Sequence, residues 1–211
     1  MGFVVLHIQK PKGNDSGTND HIERTVSPAN ANPERTHLNK EFIEFPDGVD
    51  NRTQAIQHRI ENAGIKRKIS HNQVRALQIM LSGTPEDMQR IQNTGKLNEW
   101  CKDNIEWLQE TFGKDNLVSA VLHMDEKTPH IHATVVPIVT GERRKTKDTN
   151  KKDDKQKQDV QESDKPESGK KIYRKKNPNT SRLCADDIMT RENLEHFQNS
   201  YAEKMDKYGL E

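Results

Sequence analysis

Residues 123–132 have the sequence HMDEKTPHIH, which places three imidazoles and two carboxylates within ten residues. Residues 118–124 are rich in Val and Leu, and residues 134–139 are rich in β-branched side chains. Runs of this composition are typical of β-strands, and the Asp, Lys, Thr and Pro between them favour a turn. The stretch therefore predicts a β-hairpin with histidines at its closed end.

The histidines of this hairpin are spaced as metal ligands would be. Residues two apart in a strand share a face, so His130 and His132 point the same way, and the partner strand can bring His123 alongside. Three neutral imidazoles bind a divalent cation and leave coordination positions open, as catalytic sites do. Asp125 and Glu126 are available to orient them. The competing interpretation is that the histidines lie on a solvent-exposed face of the sheet and bind no metal. It explains three clustered histidines less well.

The composition requires a core that is confined to part of the chain, because only 30% of the 211 residues are hydrophobic and the mean hydropathy is -1.09. Residues 141–176 carry 14 Lys or Arg and 8 Asp or Glu. Such a segment cannot bury enough surface to offset its ordering entropy. We therefore expect one domain, residues 1–211, with a disordered charged loop at 141–177 and a helical segment at 178–211. Because the chain stops just past a helix, we also expect the natural protein to continue.

Charge and cysteine content exclude several classes of protein. The net charge is only +1, so the chain as a whole is not a polycation, and phosphate contacts would come from local basic clusters. Two cysteines without Cys-x-x-Cys spacing do not make a disulfide scaffold. The sequence has no signal peptide and no long apolar span. We expect a soluble, cytoplasmic protein.

The periodicity of apolar residues predicts a mixture of strands and helices. Besides the hairpin, strands are predicted at residues 3–9, 41–45 and 74–81. Helices are predicted at residues 51–62, at 85–112 in two pieces, and at 194–208. Strands and helices do not alternate as βαβ units. The fold class is therefore α+β, an α/β sandwich in which an antiparallel sheet of about five strands has helices packed on it.

An open metal site beside basic segments suggests phosphodiester chemistry, with the ion as a Lewis acid on the scissile phosphate. A water nucleophile would hydrolyse the strand, whereas a side-chain nucleophile would keep the cut strand attached. No tyrosine precedes Tyr173, which excludes a tyrosine near the N-terminus. His21, in a loop rich in Gly, Asn and Asp, is a feasible nucleophile because a neutral imidazole attacks without first losing a proton.

Three segments of the chain resemble, in order, the three motifs of the MobV family of plasmid relaxases, also called Pre/Mob mobilisation or plasmid recombination proteins. The segments are residues 21–24 (HIER), 36–39 (THLN) and 123–132, and the last contains the His-hydrophobic-His signature of the HUH endonucleases. The resemblance spans nearly the whole chain and implies an HUH relaxase-like fold. It implies an enzyme that nicks one DNA strand at an origin of transfer, holds the 5′ phosphate covalently, and starts conjugative mobilisation of a plasmid or integrated element.

The resemblance also implies a role for each matching residue. His21 matches the nucleophile, which would form a phosphohistidine link to DNA, and Arg24 matches a basic residue near the scissile phosphate. Glu126 matches an acid that orients a ligand or approaches the ion. The implied metal ligands are His123, His130 and His132. Mn²⁺ is our first choice of ion, with Mg²⁺, Zn²⁺, Ni²⁺ and Co²⁺ as alternatives.

The expected partner is single-stranded or hairpin DNA at an origin of transfer. We expect no contact with a membrane. A dimer could form through a further C-terminal region. The residues expected to contact DNA are His37, Asn39, Lys66, Arg67, Lys68, Arg174, Lys175 and Lys176. For His37 and Asn39, positioning of a loop is the alternative role. On the strand before the helical region, where we expect a further acid, the chain has Gln78.

Three other functions are compatible with parts of this pattern. A rolling-circle replication initiator would use Tyr201 as its nucleophile, although Tyr201 also fits the apolar stripe of the last helix. A metal-dependent nuclease would use water and leave no adduct. A DNA-binding module would hold structural zinc, which usually requires a fourth protein ligand.

Overall fold

The structure, a computed structural model, describes residues 2–11, 16–141 and 179–211. The charged loop predicted at residues 141–177 lies outside the described residues, apart from Gly141. The basic residues Arg174, Lys175 and Lys176 lie outside them as well.

The described elements confirm the predicted mixture of strands and helices. In chain order they are β1 (Val4–Gln9), α1 (Ser16–Glu23), a 3₁₀ helix (Pro33–Leu38), β2 (Lys40–Glu41), α2 (Arg52–Glu61), β3 (Leu77–Gly83), α3 (Pro85–Asn93), α4 (Leu97–Phe112), a 3₁₀ turn (Lys114–Asn116), β4 (Leu117–His123), β5 (His130–Val135), β6 (Ile138–Val139), β7 (Arg182–Leu183), α5 (Ala185–Ile188), α6 (Arg191–Met205) and a final 3₁₀ turn (Asp206–Tyr208). No helix in these ranges is long and apolar enough to cross a membrane.

Five of the strands form one antiparallel sheet in the order β1-β3-β5-β4-β2, and β6 pairs with β7 in a separate small sheet. The predicted fold class, a sheet of about five antiparallel strands with helices packed on it, is therefore confirmed. The hairpin strands β4 and β5 lie inside the sheet, between β3 and β2. The histidine hairpin is thus held by neighbours on both sides.

The two faces of the sheet differ in polarity because side chains alternate along each strand. On one face, Ile79, Leu81 and Ile131 pack in the main core. Helices α3, α4 and α6 supply the other side of that core, including Met88, Trp100, Leu108, Phe197 and Met205. The opposite face is polar where the histidines lie: paired residues in register across it include His7 with Met80, Met80 with His132, Gln9 with Gln78, and Gln78 with Thr134. Helix α2 covers another part of this face over a second, smaller hydrophobic core. The chemistry-bearing side chains therefore share the face opposite the main core.

The strand predicted at residues 41–45 is wrong beyond its first residue, since β2 ends at Glu41. The carboxylate of Glu41 accepts hydrogen bonds from the backbone N–H groups of Phe42 and Ile43, both at 3.0 Å, and of Ala120 at 2.7 Å. It also accepts from the Ser119 hydroxyl at 2.6 Å, beside the bulge in β4. The Phe42 N–H also donates to the Ala120 carbonyl at 2.9 Å, so the backbone ladder continues for one residue and the Glu41 side chain then takes up the Ile43 donor.

Tyr201 lies in the core, on the side of the sheet away from the histidines. Its side chain is fully buried, its hydroxyl donates to Asn104 Oδ1 at 2.8 Å, and its ring lies 4.9 Å from that of Trp107. Burial raises the pKa of this tyrosine well above its usual value. A hydroxyl held in this way cannot reach a DNA strand, so the Tyr201 alternative finds no support in the fold.

Replacing Tyr201 with Phe should destabilise the protein, because the buried Asn104 Oδ1 would lose its donor. We expect the free energy of unfolding to fall by about 1–3 kcal/mol, measured by urea denaturation. An unchanged denaturation midpoint would show that this hydrogen bond contributes nothing.

Candidate functional site

The hairpin brings the three predicted metal ligands together. His123 pairs with His130 in the β4–β5 register, and His132 lies two residues further along β5. Their ring centroids are separated by 5.2 Å (His123–His130), 4.9 Å (His123–His132) and 4.8 Å (His130–His132). The three imidazoles therefore form one cluster, as the alternation of strand residues predicts.

The hydrogen bonds of two of these rings select which nitrogens can bind an ion. His123 Nε2 lies 3.1 Å from the carbonyl oxygen of Ile22, and His130 Nδ1 lies 2.8 Å from that of Thr128. A carbonyl only accepts, so both of these nitrogens carry the proton. His123 Nδ1 and His130 Nε2 are left with lone pairs, which is the protonation state that metal binding requires. The His123 Nδ1 lone pair accepts a hydrogen bond from Arg24 Nη2 at 3.0 Å in the ion-free protein.

The spacing of the remaining nitrogens fits a metal ion. His130 Nε2 and His132 Nε2 lie 3.1 Å apart. Two adjacent ligands at ~2.1 Å from an octahedral ion would be separated by about 3.0 Å. Ligating atoms of His123, Glu126 and His130 also lie within 4.8 Å of one another, and so do those of His21, His123 and His132. Three imidazoles and a carboxylate suit ions such as Mn²⁺, Zn²⁺ or Co²⁺.

The electrostatics of the cluster keep two of its rings, His123 and His132, neutral. Burial lowers the pKa of His123 to about 4, with a further contribution from the positive charge of Arg24. Burial lowers the pKa of His132 further still, helped by the neighbouring His130 and His123. Neutral imidazoles are the metal-binding form, so these two rings are in that form at weakly acidic pH as well as at neutral pH.

Arg24 is the centre of the charged part of the site. Its Nη2 lies 2.7 Å from Asp125 Oδ1, 2.7 Å from Glu126 Oε1 and 3.0 Å from His123 Nδ1. Its backbone has a φ of 56°, which among the described non-glycine residues occurs here only. This left-handed conformation ends α1 and turns the side chain back into the site, a strain that is typical of functional positions.

His21 lies beside the cluster, but on a helix and not in the predicted loop. It occupies the last turn of α1, with its ring centroid 5.5 Å from that of His132 and its Nε2 3.6 Å from Glu126 Oε1. Burial, followed by the charge of Arg24, lowers the pKa of His21. The Gly, Asn and Asp content of this segment favours a loop. Contacts with α2 override that preference, since Asn19 Nδ2 donates to Thr53 Oγ1 at 2.6 Å and the N–H of Arg52 donates to Glu23 Oε1 at 2.6 Å.

The second motif supports the hairpin turn from outside. Asn39 Oδ1 accepts from the N–H groups of Met124 at 2.7 Å and Asp125 at 3.3 Å, while its Nδ2 donates to Asp125 Oδ2 at 2.8 Å. Thr36 Oγ1 donates to the same carboxylate oxygen at 3.2 Å. Both ends of the Asn39 amide are therefore used within the protein, which favours the loop-positioning role over DNA contact. His37 is exposed.

The Asp125 carboxylate is held ionised by this environment. Hydrogen bonds from Arg24, followed by that from Asn39, keep the pKa of Asp125 well below its usual value despite burial. Asp125 thus acts as a permanent anchor for Arg24 and does not face the histidine nitrogens directly. Glu126 fills that position instead, with Nε2 of His130 3.9 Å away.

The other residues singled out from the sequence either lie away from the histidine cluster or form hydrogen bonds within the protein. Lys66, Arg67 and Lys68 are exposed between α2 and β3, where Arg67 and Lys68 line a cavity of about 470 Å³ together with Arg182. Gln78, where an acid was expected, is buried and accepts a hydrogen bond from Gln9 Nε2 at 2.8 Å.

Sequence reasoning missed two residues that support the site. Asn30 Nδ2 donates to Glu126 Oε2 at 2.7 Å, and the fully buried Arg52 donates from Nε to Thr134 Oγ1, two residues after His132. Neither residue lies in a recognisable motif, and no local pattern in the sequence indicates its partner.

The family model and the similar proteins all point to one family. The Mob_Pre family model, described as plasmid recombination enzyme, matches residues 1–177. A plasmid recombination enzyme type 3 of Staphylococcus aureus is 31% identical over 162 residues, covering 72% of this chain and 38% of the relative. A plasmid recombination enzyme of Streptococcus agalactiae is 30% identical over 148 residues, covering 67% of this chain and 29% of the relative. The chain therefore spans less than half the length of these relatives.

Solved structures give the same fold. The MobM relaxase domain (MOBV; Mob_Pre) bound to plasmid pMV158 oriT DNA, Mn-bound at pH 5.5, matches with a TM-score of 0.70 at 22% identity, covering 99% of this chain and 88% of that chain. A Mn-bound structure of the same domain at pH 4.6 matches with a TM-score of 0.69 at 23% identity. The α+β architecture of the chain is thus the architecture of this domain.

The replacement Asn39→Asp should disturb the hairpin without changing side-chain size. It would place a carboxylate against Asp125 where an amide now donates a hydrogen bond. We expect the free energy of unfolding to fall by about 2 kcal/mol and the affinity for Mn²⁺ to fall about tenfold. Urea denaturation and calorimetric titration measure the two effects.

Asn72→Asp is the matched control, because Asn72 is exposed and its Oδ1 only accepts a hydrogen bond from Ser70. Its free energy of unfolding should stay within about 0.5 kcal/mol of that of the wild type. Equal effects of the two replacements would contradict the anchoring role of Asn39.

Acidification should destabilise the ion-free protein. The pKa of His123 lies at about 4 in the folded chain, and that of His132 is also lowered, against ~6.5 in an unfolded chain. The unfolded chain therefore binds protons first, and the stability that the neutral rings contribute is complete above pH 6.5 and is lost as the pH falls towards 4. Between pH 7 and 5 we expect a loss of about 2 kcal/mol for each ring, measured by urea denaturation in EDTA.

Replacing His132 with Asn should flatten this pH dependence by removing one of the two titrating rings. A wild-type stability that does not change between pH 7 and 5 would show that the buried rings accept protons without cost.

Proposed function

The chain belongs to the plasmid recombination enzyme family, and from that membership we propose that it is a relaxase domain, which nicks one DNA strand at an origin of transfer by transesterification. The observation that carries the proposal is the position of His21. Its ring lies at the edge of the histidine cluster, 5.5 Å from the ring of His132, with Nε2 3.6 Å from Glu126. A nucleophile candidate and an ion-binding cluster therefore adjoin one reaction space.

The reaction would begin with the attack of the neutral His21 ring on phosphorus. The lowered pKa of His21 leaves it unprotonated at neutral pH, so that one ring nitrogen has a lone pair. An N–P bond forms, the P–O3′ bond breaks, and the 3′ oxygen leaves and takes up a proton. The 5′ phosphate stays on His21 as a phosphohistidine, which preserves the energy needed to rejoin the strand.

A divalent ion held by His123, His130 and His132 would supply Lewis-acid polarisation of a non-bridging phosphate oxygen. Mn²⁺ is the first choice, and the Mn-bound relaxase domain of similar fold supports it. Arg24 adds a fixed positive charge beside the attacking ring, at 3.4 Å between its Nη1 and His21 Nδ1. Glu126 is the carboxylate placed to receive the proton that the His21 ring must lose.

The proposed substrate is single-stranded or hairpin DNA, which the polar face of the sheet would receive. Support comes from the similar MobM domain, which is bound to plasmid oriT DNA. Backbone contacts would come from the exposed His37 and the basic clusters at residues 66–68 and 174–176. A cytoplasmic location, a single nicking domain at residues 1–211 and dimerisation through further C-terminal sequence are part of the same proposal.

Covalent capture of DNA tests this function. Supercoiled DNA of the element that carries the gene, incubated with the protein and Mn²⁺, should yield a nicked strand that migrates slowly in denaturing gels because protein is attached. EDTA should abolish the product. His21→Ala should reduce it by roughly 100-fold or more, because the nucleophile is lost.

Two variants are controls for this experiment. His196→Ala removes an exposed histidine on α6, and Tyr201→Phe removes the rival nucleophile; both should form the adduct. Nicking without attached protein would instead identify a nuclease that uses water. Loss of the adduct in Tyr201→Phe together with its retention in His21→Ala would overturn the assignment of the nucleophile.

A further inference from the structure

A small cavity opens on the polar face of the sheet next to the His21 ring. Its volume is about 270 Å³. The residues that line it are His7, Gln9, His21, Gln78, Ile79, Met80 and His132. Two of these residues belong to the proposed reaction site, and four of the other five have no role in the mechanism above or in the core. The cavity therefore extends the site towards the β1 edge of the sheet.

Strand register fixes the walls of this cavity. His7 of β1 is paired with Met80 of β3, and Met80 is paired with His132 of β5, so the three side chains form one row across the sheet. Gln9 and Gln78 form the adjacent row. A cavity built on three hydrogen-bonded strands is preformed, which lowers the entropic cost of filling it.

The lining combines apolar surface with amide groups and contains no carboxylate. Met80 is half-buried and offers a polarisable surface, while Gln9 is exposed and donates one hydrogen bond to Gln78 Oε1 at 2.8 Å. An amide has a second N–H and a carbonyl with which it can pair a ligand that presents a donor beside an acceptor. The edges of nucleobases present this pattern, and their faces stack on flat or polarisable side chains.

We propose that this cavity is a subsite for one nucleobase, that of the nucleotide adjoining the scissile phosphate. The inference rests on the proposed function, because it takes His21 as the point where the phosphate is attacked. Its volume lies just below the ~300 Å³ at which pockets for whole drug-sized ligands begin, which suits a single base and not a base pair. Met80 supports the face of the base, and the Gln9 amide binds its edge. This subsite sets the position of the phosphate relative to His21.

Nuclear magnetic resonance of the methionine methyl groups tests the subsite, since the chain has six methionines and Met80→Ala assigns the signal. The probes are four single-stranded octanucleotides, built from A, C, T or alternating G and T, and an octamer of abasic deoxyribose phosphate. At least one base-bearing probe should shift the Met80 signal in a saturable way, and the abasic octamer should leave it in place. Gln9→Leu should weaken that binding roughly fivefold.

Gln89→Leu is the matched control. Gln89 is an exposed glutamine on α3, across the sheet, and like Gln9 it donates one side-chain hydrogen bond. It should bind the probes as the wild type does. The subsite is refuted if no probe shifts the Met80 signal, if the abasic octamer shifts it equally, or if Gln9→Leu and Gln89→Leu bind alike.

The adduct assay on the wild-type protein separates this inference from the proposed function. If the adduct forms but no probe shifts the Met80 signal, the subsite alone is refuted. A base-dependent Met80 shift without any adduct would refute the nicking function and leave a base-binding cavity.

Discussion

The buried ion pair between Arg24 and Asp125 is the interaction on which the rest of the site depends. Two parallel contacts, Nε to Oδ2 at 2.8 Å and Nη2 to Oδ1 at 2.7 Å, join the end of the His21 helix to the hairpin turn. The two side chains are only 7% and 0% exposed, so the loss of either would leave a buried charge without its partner. Asn39 binds the same carboxylate. Three segments that are distant in sequence are thus brought together at a single side chain.

Because side chains alternate along each strand, one face of the sheet packs in the core and the other carries the histidines. The face towards α3, α4 and α6 is apolar and closes the main core, whereas the other face carries the histidines and amides beside the part that α2 covers. Polar groups on a sheet are costly only where they lack partners. Here the carbonyls of Ile22 and Thr128 bind two of the histidine rings. The same hydrogen bonds that satisfy these rings also leave His123 Nδ1 and His130 Nε2 with lone pairs.

Sequence patterns predicted the features that are local. Alternation along β4 and β5 predicted the His123, His130 and His132 cluster, and apolar periodicity predicted two helical pieces within residues 85–112. Features that depend on distant contacts could not be predicted in this way. The helix around His21 is stabilised by α2, the Glu41 carboxylate binds across to β4 where β2 ends, and Arg52 reaches Thr134 from another element. The motif resemblance supplied His21, which local composition alone would have left as an ordinary loop histidine.

Mass spectrometry of the trapped protein–DNA complex tests the central claim most directly. Trypsin should release residues 13–24, a peptide that contains His21 and no tyrosine or cysteine, whereas Tyr201 falls in the peptide 192–204. The account predicts that the nucleotide mass is attached to His21 in the first peptide and that the bond is acid-labile, as expected of a phosphoramidate. An acid-stable attachment to the second peptide, or a cut strand that carries no peptide, would contradict it.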